Sequence, residues 1–93
     1  MAHESVFKAL ADPNRRKILS LLRKHDSLNA GEIAEHFNIS KPAISDHLRI
    51  LRDANLIFSD KQGQYVNYQL NTSVLEELAA YLIDFVKIGK EEE

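Results

Sequence analysis

The sequence predicts a mainly α domain with a small β-hairpin, a winged helix-turn-helix in which four helices are followed by two strands and a fifth helix. Three observations carry this. Two short amphipathic segments, residues 29–37 and 40–54, are separated by a turn of only a few residues. After Asn55 the apolar period falls from helical to two, and Gly63 divides two strand-like runs. Helical spacing then resumes from Val74 to Ile88.

The first helix is expected from Glu4 to Leu10, with Val6, Phe7 and Leu10 apolar. Asp12-Pro13 restarts the chain. The Asp12 carboxylate can accept from the orphan N–H groups of a new helix, and proline suits the first helical position, where its missing donor is harmless. Ile18, Leu21 and Leu22 continue this second helix at i, i+3 and i+4, and the cationic Lys24-His25 pair favours its C-terminus.

Asn29 and Glu32 have capping-box spacing, and Ile33, Ala34 and Phe37 extend the third helix. Asn38, which enters the left-handed region readily, is the expected stop. Only Ile39 separates it from Ser40, the cap of the fourth helix, so the helix-turn-helix of about residues 30–54 closes on a tight three-residue turn. Pro42 lies in the first turn of the fourth helix, and Ile44, Leu48 and Leu51 form its buried stripe. The wing covers about residues 56–70, with Val66, Tyr68 and Leu70 alternating with polar neighbours and Lys61-Gln62-Gly63-Gln64 at the tip. The last helix spans about residues 73–89, capped by Thr72 or Ser73.

At 93 residues the chain holds one domain, residues 1–89, ahead of an acidic tail, residues 90–93. With 44% apolar and 28% charged residues it has the composition of a folded chain, not a disordered one. The absence of cysteine excludes a disulfide scaffold, a cysteine zinc site and thiol catalysis. No apolar run approaches the ~18 residues of a membrane span, and Met1-Ala2-His3-Glu4 opens no export signal, so a cytoplasmic protein without membrane contact is expected. Paired carboxylates, a nucleophile with its base and a glycine-rich phosphate loop are all missing, which argues against an enzyme and against a cofactor.

Charge is unevenly placed. The formal net charge is −2, yet residues 13–52 carry +4 and residues 53–93 carry −5. A basic middle suggests a face toward a polyanion, with an ordinary solvated helical surface as the alternative. On the last helix, Glu76, Glu77, Asp84 and Lys87 fall within an arc of about 100°, and large apolar side chains cover roughly 220° of the rest. Either a second chain or a deeper seat in its own domain covers such a face, and a second chain in two-fold symmetry is the expected cover.

Three segments carry a family resemblance. The run Phe7-Lys8-Ala9-Leu10-Ala11-Asp12-Pro13-Asn14-Arg15-Arg16-Lys17-Ile18-Leu19 resembles the opening of ArsR-type (ArsR/SmtB) winged-helix transcriptional repressors. The segments from Ile33 to Leu48 and from Gly63 to Leu70 resemble the recognition unit and wing of that family, closest to its metal-independent, SdpR-like branch. The resemblance implies a homodimer joined through its first and last helices, here Val6, Phe7, Leu10, Leu78, Tyr81, Leu82 and Phe85. It further implies that double-stranded DNA is bound by the fourth helix and the wing, and that repression is relieved by an inducer, a small molecule or a protein.

With Ile44 and Leu48 pointing inward, Pro42, Ser45, Asp46 and Arg49 point outward from the fourth helix and Lys41 leads it, which places them toward a major groove. Arg49 or Lys41 suits guanine, Ser45 several bases, and Asp46 either a cytosine amine or an intramolecular partner such as Arg49 or Arg16. Ser40 at the helix start suits a phosphate, and Gln62, Gly63 and Gln64 suit backbone or minor groove. Arg15, Arg16 and Arg23 can add phosphate contacts, or serve as structural partners.

Departures from the family narrow the reading. The third helix has no cysteine and the last helix no histidine, and His3, His25, His36 and His47 lie on separate elements without ligand spacing, so no metal sensing through the family's known sites is expected. Glutamines occupy wing positions where many relatives have arginine, which weakens the electrostatic grip. The alternatives are a winged-helix protein-interaction module with little DNA affinity, or a repressor controlled by a partner protein.

Overall fold

Helix α1 spans Ala2–Leu10 and α2 Pro13–Lys24, followed by β1, Leu28–Asn29, and α3, Ala30–Ala34. Helix α4 is Lys41–Asp53, the hairpin strands are β2, Ile57–Gln62, and β3, Tyr65–Leu70, and α5 is Thr72–Glu91. The computed structural model describes residues 2–91. The expected winged helix-turn-helix is present, with one addition: three strands form the sheet, in the order β1-β3-β2, all antiparallel. Strand β1 pairs Leu28 with Tyr68 and Asn29 with Asn67, which ties the chain ahead of α3 to the back of the wing. A two-residue strand has no period to read, so only pairing across the fold creates it.

Local chemistry starts most of the helices. Asp12 Oδ2 accepts from the N–H groups of Asn14 at 2.9 Å and Arg15 at 3.1 Å, with Pro13 in the first turn. Asn29 and Glu32 complete the capping box, at 2.8 and 2.9 Å. Helix α3 is shorter than expected and stops at Ala34. The N–H groups of His36 and Phe37 turn back to the carbonyls of Ile33 and Ala34, three residues away, so the chain tightens and unwinds before Asn38. The link to α4 is therefore residues 35–40, not a three-residue turn.

The left-handed position expected at Asn38 falls at Asn55, whose φ is 61° and which is the sole non-glycine residue with positive φ among those described. There the Leu56 N–H bonds the Leu51 carbonyl at 3.0 Å and the Asn55 N–H bonds the Arg52 carbonyl at 2.9 Å, a Schellman closure of α4. Asn71 fastens the same corner. Its Nδ2 donates to the Asn55 carbonyl at 2.8 Å, its N–H donates to the Leu56 carbonyl at 2.9 Å, and its Oδ1 caps α5 by accepting from the Ser73 N–H at 3.2 Å. The cap of α5 is thus Asn71, in place of the hydroxyl of Thr72 or Ser73.

One core gathers Val6 and Ala9 from α1, Ile18, Leu19 and Leu22 from α2, Ile33 from α3, Ile44, Leu48 and Leu51 from α4, Leu56 and Ile57 at the wing root, and Leu78 from α5. Val6 and Leu78, expected at the dimer interface, are 1% and 6% exposed and belong to this core. The reason is axial. The first two turns of α5 rest on their own domain through Val74, Leu75 and Leu78, whereas residues 79–87 are exposed on every side. An angular count along a helix merges these two stretches. Helix α5 continues through Gly89 to Glu91, so Lys90 and Glu91 of the expected tail are helical backbone, and Glu92 and Glu93 lie outside the described residues.

Candidate nucleic-acid interface

Helix α4 is built to show one face. Ser40 Oγ accepts from the Ala43 N–H at 3.2 Å and Pro42 holds the first turn, while Ile44, Leu48 and Leu51 anchor the opposite side in the core. Lys41, Pro42, Ser45, Asp46 and Arg49 are all exposed, as their angular positions predict. Ser40 is exposed at the leading end, with its oxygen used for the cap and its hydroxyl proton still available.

Asp46 and Arg49 do not act as independent groups. Arg49 Nη2 donates to Asp46 Oδ1 at 2.6 Å and Nη1 donates to Asp53 Oδ2 at 3.5 Å. The bond from Arg49 holds the Asp46 carboxyl below its ordinary value of 3.8, and the same bond raises the Arg49 guanidinium. Of the two readings open for Asp46, the structure places it with an intramolecular partner, and that partner is Arg49.

The wing turns in two residues. Gln62 pairs with Tyr65 across β2 and β3, leaving Gly63 and Gln64 as the loop. Gly63 has φ of 65°, as the first loop position of a type II′ hairpin demands. The Gln62 side chain is held by its neighbours on the sheet: its Nε2 donates to Asp60 at 3.2 Å and its Oε1 accepts from Asn67 at 3.3 Å. Among the described residues no hydrogen bond or ion pair joins the wing tip to α4, so they are two separate contact elements. Tyr65 is absent from the expected set, yet it flanks the loop and is 57% exposed. Its position beside a glycine turn, on the same face as Gln62, is the signal that could have found it.

Three cations of the second helix bond backbone carbonyls. Arg15 Nε donates to the Ala9 carbonyl at 2.7 Å and Nη2 to the Lys8 carbonyl at 3.0 Å, which satisfies the end of α1. Arg16 Nη1 donates to the Leu10 carbonyl at 2.7 Å. Lys17 Nζ donates to the His36 carbonyl at 2.6 Å and lies 4.5 Å from the centre of the Phe37 ring. Arg15 and Arg16, considered for phosphate contacts, are thus tied to the end of α1, Arg15 half-buried and Arg16 exposed, and Arg23 is exposed.

On the far side, α1 and α5 carry a chain of rings. His3 stacks on Tyr81 at 4.4 Å, Phe7 lies 6.3 Å from Tyr81, and Phe85 meets Tyr81 edge-on at 5.1 Å. Phe7, Tyr81, Leu82, Ile83, Phe85 and Val86 are exposed, Phe85 by 65%, and Leu10 is half-buried against the core. Among the described residues no three His, Cys, Asp or Glu side chains converge as a metal site would require.

A family model for bacterial regulatory proteins of the arsR family matches residues 12–59. The transcriptional repressor SdpR of Bacillus subtilis is 52% identical over 85 residues, which cover 91% of this chain and 93% of that protein. A crystal structure of an ArsR family transcriptional regulator superposes with a TM-score of 0.88 at 26% identity, over 96% of this chain and 91% of the other. An ArsR-like regulator from Rhodococcus sp. RHA1 superposes with a TM-score of 0.80 at 33% identity, over 97% and 81%.

Proposed function

The chain belongs to the ArsR family of bacterial regulatory proteins and is a DNA-binding transcription regulator; from that premise we propose that it is a repressor acting as a two-fold homodimer on an inverted-repeat operator. The observation that carries this is the uncovered ring cluster of Phe7, Tyr81 and Phe85 with Leu82 beside it, because a chain of this size does not leave such a face to water. A second copy placed over it in two-fold symmetry buries the face on both chains and points two α4 helices the same way. Recognition helices about 34–36 Å apart then demand two half-sites one helical turn apart.

Within each half-site α4 enters the major groove. Arg49 and Ser45 face base edges, Lys41 and the Ser40 end of the helix face phosphate, and Gln62, Gly63, Gln64 and Tyr65 reach the flanking backbone or minor groove. The third helix has no cysteine and the last helix no histidine, and the acidic groups of residues 73–89 are Glu76, Glu77 and Asp84 alone. Control through the family's known metal sites is therefore not expected, and an organic inducer or a partner protein is the reading we favour. No helix among the described residues is long and apolar enough to cross a membrane, which fits a regulator that works on DNA in the cytoplasm.

The test is selection by the purified chain from a random-sequence duplex pool at near-physiological salt. Enrichment of an inverted repeat is the expected result. A folded chain that enriches nothing and instead captures another protein would favour the protein-interaction module.

A further inference from the structure

We infer that Asp46 is a specificity determinant: it neutralises Arg49 on the exposed face of α4, so that this guanidinium is spent on base edges and not on phosphates, and binding to DNA without the operator sequence is suppressed. The inference rests on the reading of α4 as the element that enters the groove. Arg49 faces Asp46 at 2.6 Å and Asp53 at 3.5 Å, with all three side chains more than half exposed. One cation between two carboxylates gives this cluster a charge of −1, with Arg52 exposed one turn further along the same helix, in the part of the molecule expected to meet a polyanion.

Helix stability does not explain Asp46. It sits beyond the first turn of α4, where the helix dipole no longer favours a carboxylate. Exposed ion pairs at this spacing contribute little. Arg15, Arg16 and Lys17 donate to the chain's own carbonyls and keep their charge, and Arg15 is near enough to favour the Asp46 carboxylate, yet only Arg49 is bonded to it. On the wing, Asp60 and Lys61 offset one another.

The cluster becomes favourable only against a matching base step. A guanidinium has five N–H donors and this one uses two, which leaves a fork for guanine O6 and N7. Asp46 retains lone pairs for a cytosine amine. Phosphates offer acceptors alone, so a random duplex meets the carboxylates as repulsion. Discrimination then arises from what the site rejects as much as from what it accepts.

The experiment measures binding of the wild type, Asp46→Asn, Arg49→Ala and the double variant to two labelled duplexes across a salt series. One duplex carries the inverted repeat enriched by the wild type, and the other is a random sequence of equal length. Asp46→Asn should bind the random duplex about fivefold tighter per half-site, the worth of one close unit-charge interaction in water. Its salt slope should steepen by about one per protomer, and its preference for the repeat should narrow. Arg49→Ala should weaken random binding strongly in the Asp46→Asn background and little in the wild type. Unchanged random binding by Asp46→Asn overturns the inference, as does an equal effect of Arg49→Ala in both backgrounds, since simple repulsion would add without coupling. If the wild type enriches no repeat at all, the DNA-reading role of α4 fails first and the inference falls with it. Both side chains are more than half exposed, so a matching denaturation midpoint is expected and keeps the four chains comparable.

Discussion

Arg15 and His47, 32 residues apart in the chain, meet at 3.3 Å between Nη1 and the imidazole Nδ1. Arginine can only donate, so Nδ1 accepts and the ring carries its proton on Nε2, which lies 3.9 Å from Asp12 Oδ2. The same guanidinium bonds the Ala9 and Lys8 carbonyls. One side chain thereby joins the end of α1, the start of α2 and the middle of α4.

Replacing Arg15 with alanine should cost about 2 kcal/mol of stability, since two carbonyls and a ring nitrogen lose a charged donor. The urea midpoint should fall with the slope unchanged. Arg15→Lys should recover less than half of the loss, because a single ammonium cannot span three acceptors. A loss under about 0.5 kcal/mol in the alanine variant would mean that water replaces the donor and that the junction is not held by Arg15.

Asn55 offers a cleaner backbone test. Its φ of 61° is tolerated by asparagine and favoured by glycine, and its side chain makes none of the bonds at this corner. Asn55→Gly should therefore leave the denaturation midpoint level or raise it, and Asn55→Ala should cost about 1 kcal/mol. Equal effects from the two substitutions would show that the left-handed closure of α4 carries no strain.

These positions mark how much the chain discloses before it folds. The caps at Asp12, Asn29 and Ser40 are legible because donor and acceptor lie two or three residues apart. Asn71 is less so, as Thr72 and Ser73 compete for the same role and its bonds to Asn55 and Leu56 exist only once the wing returns. The exposed face of α4 follows from its angles, but the ion pair that changes what Arg49 can do depends on rotamers. Charge counts treat every cation alike, and so do not show that Arg15, Arg16 and Lys17 are also tied to backbone carbonyls. Tyr65 was obscured by its place in an alternating strand, where an aromatic is ordinary.

Phe85 tests the pairing of two copies. It contributes nothing to the core of its own chain, so Phe85→Glu should fold yet sediment as a monomer at micromolar concentration, where the wild type should sediment as a dimer. Affinity for the inverted repeat should drop by about 10²-fold or more as the two half-sites cease to be held together. A Phe85→Glu chain that remains dimeric would place the interface elsewhere.

Asp46 should titrate below its ordinary value of 3.8 in the free protein, because ionisation is favoured first by the hydrogen bond from Arg49. The sign follows directly: the folded carboxyl is depressed relative to the unfolded one, so the pair contributes above about 3.8 and is lost as pH falls through the lower folded value. Carboxyl chemical shifts followed by NMR should show this midpoint, and Arg49→Ala should return it toward 3.8. A midpoint that ignores Arg49→Ala would leave the contact as a feature of one rotamer only.

Salt should separate Lys41 from Arg49. Lys41 stands at the exposed start of α4 with no ion pair among the described residues, so its charge is free to displace a counterion from phosphate. Lys41→Ala should weaken binding to the repeat and to random duplex alike, and lower the salt slope by about one per protomer. Arg49 is already compensated by Asp46 and Asp53, so its loss should barely alter the slope. The cost of Arg49→Ala should appear instead as about 1–3 kcal/mol at the repeat, with relaxed preference at one base pair in each half-site. Because Arg49 is paired with two carboxylates, the wild-type slope should itself be shallower than the number of α4 cations suggests. Slopes that fall equally for the two variants would put Arg49 on the backbone and remove it from base reading.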